Sequence, residues 1–281
     1  MNIQIFVVPY DSGRLRWRCG AGPGYLLSAG LTTHLHSQGH VVTDVQTLED
    51  NPAYPSAEIR TAFELARRLA VAVRAAHAAG HFALVLSGNC NTAIGTLGGL
   101  TPAPSHVLVR CPRGLQYPET TTTGFLDGMG LAMATGLCWD RLVTTVPGFR
   151  PIRAEATFLL GARDLDPSEA TLLRQSAVTV VEVGQIPAHL PDLFAHAQLA
   201  DTIGYLHLDL DVLDPTVGHA NYLPVPNGLS LAQLTGAITA IRAHVPLRAA
   251  ALTSYSPEDD HDGGIARAAV VALDAILGSG A

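Results

Sequence analysis

Short apolar runs rich in β-branched residues alternate with longer amphipathic segments along this chain, and that alternation limits what it can fold into. The runs fall at 3–8, 41–45, 82–87, 105–110, 156–161, 177–183, 203–211 and 248–254. Their length suits strands, and the segments between them carry a helical period. The period is clearest over 56–79, where Ile59, Phe63, Leu65, Ala66, Leu69 and Val73 recur at helical spacing. Further helices are predicted at 168–175, 188–198, 230–244 and 264–277. Ser230 reads as an N-cap, with Gln233 completing a capping box. Such βαβα alternation predicts an α/β fold with a mostly parallel sheet covered by helices on both faces. With 281 residues and 48% hydrophobic content, one large domain over 1–281 is expected rather than two small ones.

Composition narrows the function classes. The net charge is −7 and the isoelectric point about 5.9, so nothing favours nucleic acid or an anionic membrane as a partner. The 17 basic residues are all arginine. Absence of lysine excludes Schiff-base chemistry and lysine-bound pyridoxal phosphate. It also fits a high-GC bacterial genome. Cys19, Cys90, Cys111 and Cys138 are widely spaced and lack a CxxC pattern. The chain opens directly on a strand-like run, and no apolar stretch reaches membrane-spanning length. Free thiols in a reducing cytoplasm are therefore expected.

Chemistry concentrates in His207-Leu208-Asp209-Leu210-Asp211-Val212-Leu213-Asp214-Pro215. Read as one strand, alternation puts His207, Asp209 and Asp211 on a single face. Carboxyl ends of parallel strands are where open α/β folds bind ligands. Two carboxylates in an apolar strand need a cation, a shared proton or an arginine to offset their burial. Loops at 101–105, 112–124 and 216–228 follow strand candidates, where sites are built.

The motif 207–215, together with Leu223-Pro224-Val225-Pro226-Asn227-Gly228-Leu229-Ser230, resembles the arginase/agmatinase (ureohydrolase) superfamily. So do Val8-Pro9-Tyr10-Asp11-Ser12-Gly13 with Gly20-Ala21-Gly22-Pro23, the segment Leu86–Gly95, the loop Pro118–Met129, and Leu160-Gly161-Ala162-Arg163-Asp164-Leu165-Asp166-Pro167. The resemblance implies a three-layer α/β/α domain with an about eight-stranded sheet, and a homo-oligomer.

Departures from the family pattern are as informative. The family holds two manganese ions with two histidines and four aspartates. By the resemblance, the histidine of its Gly-Gly-Asp-His motif falls on Cys90. The three ligands of its Asp-Ala-His-x-Asp motif fall on Arg110, Pro112 and Gly114. Only Asp209 and Asp211 remain. The substrate-loop histidine becomes Asp127, the guanidinium-binding glutamate falls on Ser254, and His207 replaces a small residue. Some relatives are similar in carrying Gly-Asn-Cys while keeping the aspartate–histidine motif.

Manganese prefers oxygen and imidazole donors, and this set supplies too few. Arg110, at its strand end, is expected to replace the lost metal charge by pairing with Asp209 or Asp211. No metal and no cofactor is expected. Candidate catalytic residues are Asp209, Asp211, His207, Asp127 and Cys90, and candidate substrate contacts are Arg110, Arg113, Glu119, Asn89, Asn91 and Ser254. Each has a bland alternative: a relic ion pair for the aspartates, a hydrogen-bonded core histidine, a small core cysteine, solvated loop charges. The cluster Glu258-Asp259-Asp260-His261-Asp262 reads as a solvated acidic turn. Three readings stay open. The leading one is a metal-independent enzyme acting on a small molecule by cyclisation, elimination, isomerisation or amide hydrolysis, a repurposing that fits bacterial secondary metabolism. The others are a ligand-binding pseudoenzyme that regulates an active paralogue, and a mononuclear metal hydrolase using Asp209, Asp211 and His207.

Overall fold

The computed structural model describes residues 1–51, 53–54, 57–101, 106–110, 115–186, 190 and 203–278, with only the backbone described over 106–110. Eight parallel strands form one sheet: β1 (Asn2–Val8), β4 (Val41–Thr47), β5 (Phe82–Ser87), β6 (His106–Arg110), β7 (Thr157–Leu160), β8 (Thr179–Val181), β9 (Gly204–Asp209) and β10 (Leu247–Thr253). Their order is β4-β1-β5-β10-β9-β6-β7-β8. A small antiparallel pair, β2 (Tyr10–Asp11) and β3 (Arg14–Leu15), stands apart. All eight runs expected from the sequence are strands.

Strand alternation sorts side chains into two cores. Ile3, Ile5, Leu84, Leu86, Leu206 and Leu208 face one way, against helices Leu231–His244 and Gly264–Leu277. Phe6, Val8, Ala83, Val85 and Tyr205 face the other, against helices Glu58–Ala78 and Ala93–Gly99. Burying each large side chain contributes roughly 1.5–3 kcal/mol, so both faces must be covered, and three layers result. Ser230 accepts from the Gln233 backbone N–H at 3.2 Å, and the capping box is complete.

Two expectations change. Strand β9 ends at Asp209, and Leu210–Val212 is a 3₁₀ turn. Asp211 is thus placed by a turn and not by strand alternation. The acidic cluster is not wholly solvated either. Asp260 is 6% exposed and caps the last helix, accepting from the backbone N–H groups of Ile265 (3.1 Å) and Ala266 (2.9 Å) and from the Tyr255 hydroxyl (3.2 Å). The expected helix over 188–198 lies outside the described residues apart from Leu190.

Where the chain order jumps, from β5 to β10 and from β9 to β6, strand ends converge on one side of the sheet. Thr253 is in register with Asp209, and Leu252 with Leu86. Just beyond β5, Gly88 lets the loop 9–20 close over this edge. A Cβ there would stand 2.3 Å from the Tyr10 carbonyl oxygen and 2.7 Å from the Gly20 nitrogen. Both obstacles are backbone, so G88A is expected to lower stability by about 2 kcal/mol or more. A thermal melt checks this; an unchanged midpoint would show that the loop is free to retreat.

Candidate active site

The converging strand ends open into a pocket of about 140 Å³. A cavity of roughly 150 Å³ accommodates a benzene-sized group. Its walls are largely apolar, with Ala93, Leu97, Phe125 and Leu131 among them, and polar groups gather at one end. That end is built by the β5, β9 and β10 termini and by the turn Asp127–Met129.

Asp209, 2% exposed, sits at its back. Its Oδ1 accepts from Cys90 Sγ (2.9 Å), from Ser254 Oγ (3.1 Å) and from the Thr253 hydroxyl. His207 Nε2 lies 3.5 Å from the same oxygen. Burial pushes the Asp209 pKa up, but hydrogen bonds and charge from His207, with the Cys90 and Thr253 bonds, outweigh that and hold it below the usual value. The other ring nitrogen of His207, Nδ1, is 2.8 Å from the Tyr205 hydroxyl.

Cys90 faces a second carboxyl. Its thiol is 3.6 Å from Asp127 Oδ2. Asp127 Oδ1 accepts the backbone N–H groups of both Cys90 and Asn91. Burial and the nearby Asp209 and Asp11 charges push the Asp127 pKa up to about 7, against the lowering by those two N–H bonds. Cys90, His207 and Asp209 each offer one donor atom within 4.8 Å of one another, the group among the described residues able to hold a metal ion.

The arginase-family model matches residues 1–278. The chain belongs to the arginase family. The arginase of Brevibacillus brevis is 28% identical over 296 residues, covering 99% of this chain and 98% of the relative. The N(omega)-hydroxy-L-arginine amidinohydrolase of Streptomyces lavendulae is 32% identical over 185 residues, 63% of this chain and 64% of the relative. A crystal structure of Bacillus subtilis arginase superposes with a TM-score of 0.86 at 25% identity, covering 99% of both chains. The three-layer α/β/α fold is therefore the arginase fold.

Within this arginase-family chain the sequence-derived candidates are not all brought together. Cys90, Asp127, His207, Asp211 and Ser254 line the pocket, with Asp209 directly behind Cys90. Asp211 Oδ2 accepts from Asn221 Nδ2 at 3.0 Å. Asn89 lines the pocket while bridging the Ser12 N–H (2.9 Å) and Asp11 Oδ1 (3.3 Å). Asn91 contributes its backbone N–H to Asp127 and does not line the pocket. Glu119 is exposed and stands away from it. Arg110 ends β6 in register with Leu208, one residue short of Asp209; its side chain, like Arg113 and Cys111, lies outside the described residues. Cys19, Cys90 and Cys138 form no disulfide among the described residues. Among the described residues no helix is long and apolar enough to cross a membrane.

Sequence reasoning missed Asp11, Asn221, Thr253 and Tyr205 as site residues. Asp11 was signalled by the opening motif, and Asn221 by its place in the loop 216–228. Thr253 and Tyr205 read as ordinary strand residues, and only the register of β9 against β10 gives them a role.

Proposed function

We propose that this arginase-family chain is a metal-independent enzyme that moves protons on a small molecule bound in the pocket. One observation carries the reading: the Cys90 thiol bridges Asp209 and Asp127, whose pKa values are pushed in opposite directions. Two carboxyls separated in this way are an acid and a base by construction. Asp209 stays ionised behind the thiol and accepts its hydrogen bond, which holds the Cys90 sulfur beside Asp127. Asp127, half-protonated near neutral pH, lies on the pocket wall and supplies or recovers a proton there. His207 positions Asp209, with Nε2 3.5 Å from its Oδ1. Elimination, isomerisation, cyclisation and amide hydrolysis are all accelerated by proton donors and acceptors held in place.

The donor chemistry supports the absence of a binuclear manganese centre. Such a centre wants several carboxylate and imidazole donors. Residues 110–114 are Arg, Cys, Pro, Arg and Gly, with neither group among them. Asp209 spends one oxygen on hydroxyl and thiol donors, and Asp211 binds Asn221. This set does not fit two manganese ions. One observation favours a second reading, a mononuclear site: the three donor atoms of Cys90, His207 and Asp209.

Metal content decides between them. Purified protein is dialysed against excess manganese or zinc, desalted and measured by mass spectrometry. Well under one ion per chain is expected. A stoichiometric ion, lost in D209N, would overturn the metal-independent reading and restore metal-assisted hydrolysis.

A further inference from the structure

The two chain segments that carry Cys90 and Asp127 continue as apolar walls of the pocket. Cys90 opens the 3₁₀ turn Cys90–Thr92, which runs directly into helix Ala93–Gly99. Asp127 opens the 3₁₀ turn Asp127–Met129, which runs directly into helix Gly130–Ala134. The pocket is lined along the first segment by Cys90, Ala93 and Leu97. Along the second it is lined by Asp127, Gly130, Leu131 and Ala134. Residues three and four apart on a helix share a face. Each segment therefore presents one stripe, polar at its start and apolar beyond. The two starts are tied together, because the Asp127 carboxylate accepts the Cys90 and Asn91 N–H groups.

Close packing keeps the stripes side by side. A Cβ on Gly130 would stand 3.4 Å from the Cys90 carbonyl oxygen. Ala93, Leu97, Leu131 and Ala134 are all buried, so the stripes enclose an apolar lobe inside the protein. Leu97 follows Cys90 by seven residues, roughly 10 Å along a helix at 1.5 Å per residue. A polar group carried to that depth would give up its hydrogen bonds to water and meet no polar side chain on either stripe. An apolar group gains contacts that the walls otherwise lack.

Size points the same way. The pocket volume is about 140 Å³, close to the roughly 150 Å³ of a dry apolar cavity that takes up benzene. We propose that the substrate carries a compact apolar group of about benzene size, inserted between helices Ala93–Gly99 and Gly130–Ala134, with its polar head at Cys90 and Asp127. Leu97 and Ala134 end the two stripes and set the length of the group that fits, which makes them specificity-determining residues. The substrate class is thus a small molecule in which a hydrogen-bonding head adjoins a compact hydrocarbon such as an arene. The inference rests on the reading that this pocket holds the substrate of proton transfer, and its test reads binding and size preference alone.

The test is titration calorimetry on the full chain with primary amides, which share one uncharged head and differ only in the hydrocarbon. Benzamide is expected to bind at least about tenfold tighter than acetamide, since each buried methylene is worth about fourfold. 4-Ethylbenzamide overfills the lobe and is expected to bind the unmodified chain more weakly than benzamide does. L97A clears the end of the lobe and reverses that order. A134L fills the lobe and lowers benzamide affinity about tenfold or more; should A134L fail to fold, the reversal in L97A decides alone. D127N keeps the benzamide-over-acetamide ratio even if the proton-transfer reading fails, so the two readings fail separately. Equal binding of benzamide and acetamide, no binding of benzamide, tighter binding of L-arginine than of benzamide, or an unchanged size order in L97A would each overturn the proposal.

Discussion

D127N is expected to abolish a loss of stability that the unaltered protein shows as pH rises through 7. The Asp127 carboxyl has a pKa of about 7 in the folded protein, against about 4 in an unfolded chain. The folded state binds this proton more tightly. Its stabilising contribution is complete below about pH 4 and is lost progressively as pH rises through 7. A three-unit shift corresponds to about 4 kcal/mol at most; partial access of water to the pocket reduces this to on the order of 2. Asparagine is a close replacement, because both backbone N–H bonds go to one oxygen, Oδ1, which the amide retains. Urea midpoints from pH 5 to pH 9 should decline for the unaltered chain more steeply than for D127N, with D127N the more stable above pH 8. Parallel curves would place the Asp127 titration outside this range and remove the acid from the proposed mechanism. Once a substrate is known, the same variant should lose about 10²–10⁴ in rate.

The second large effect concerns His207. It is 2% exposed and touches Asp209, Thr253 and Tyr205. H207L keeps the volume approximately but leaves the buried Asp209 carboxylate without the ring nitrogen 3.5 Å away and the Tyr205 hydroxyl without Nδ1. Breaking a buried pair by removing one member costs about 3–5 kcal/mol. The double variant H207L/D209N should recover part of that loss, because the uncompensated charge is gone. Chemical denaturation of the two single variants and the double variant gives the coupling directly. If H207L/D209N is no more stable than H207L, Asp209 is not ionised behind the thiol, and the acid–base assignment fails.

How far the sequence foretells this protein depends on which interactions are local. The eight strands are legible because each belongs to a short, mainly apolar run set between longer amphipathic or loop segments. Four of the longer helices are legible because their apolar residues recur at helical spacing, and Ser230 with Gln233 marks a start. The short helices Gly22–Ser28, Leu31–Ser37, Ala93–Gly99 and Gly130–Ala134 carry no such signal. Small residues dominate several of them, and close packing sets their place. A Cβ on Gly22 would stand 2.1 Å from the Tyr255 carbonyl oxygen. The end of β9 was misjudged because Leu210 and Val212 continue the apolar alternation through a 3₁₀ turn.

The site divides along the same line. The sequence alone determined the family, the strand carrying His207 and Asp209, the residue types at 110–114, which include no carboxylate or imidazole, and the polar residues at 89–91 and 127. Only the tertiary structure decided that Cys90 lies between Asp127 and Asp209, 37 and 119 residues away, and that Glu119 stands apart. Strand and helix propensities are set by near neighbours in the chain. Hydrogen bonds and pKa shifts depend on distance and desolvation in space, which the packing of β5, β9 and β10 creates.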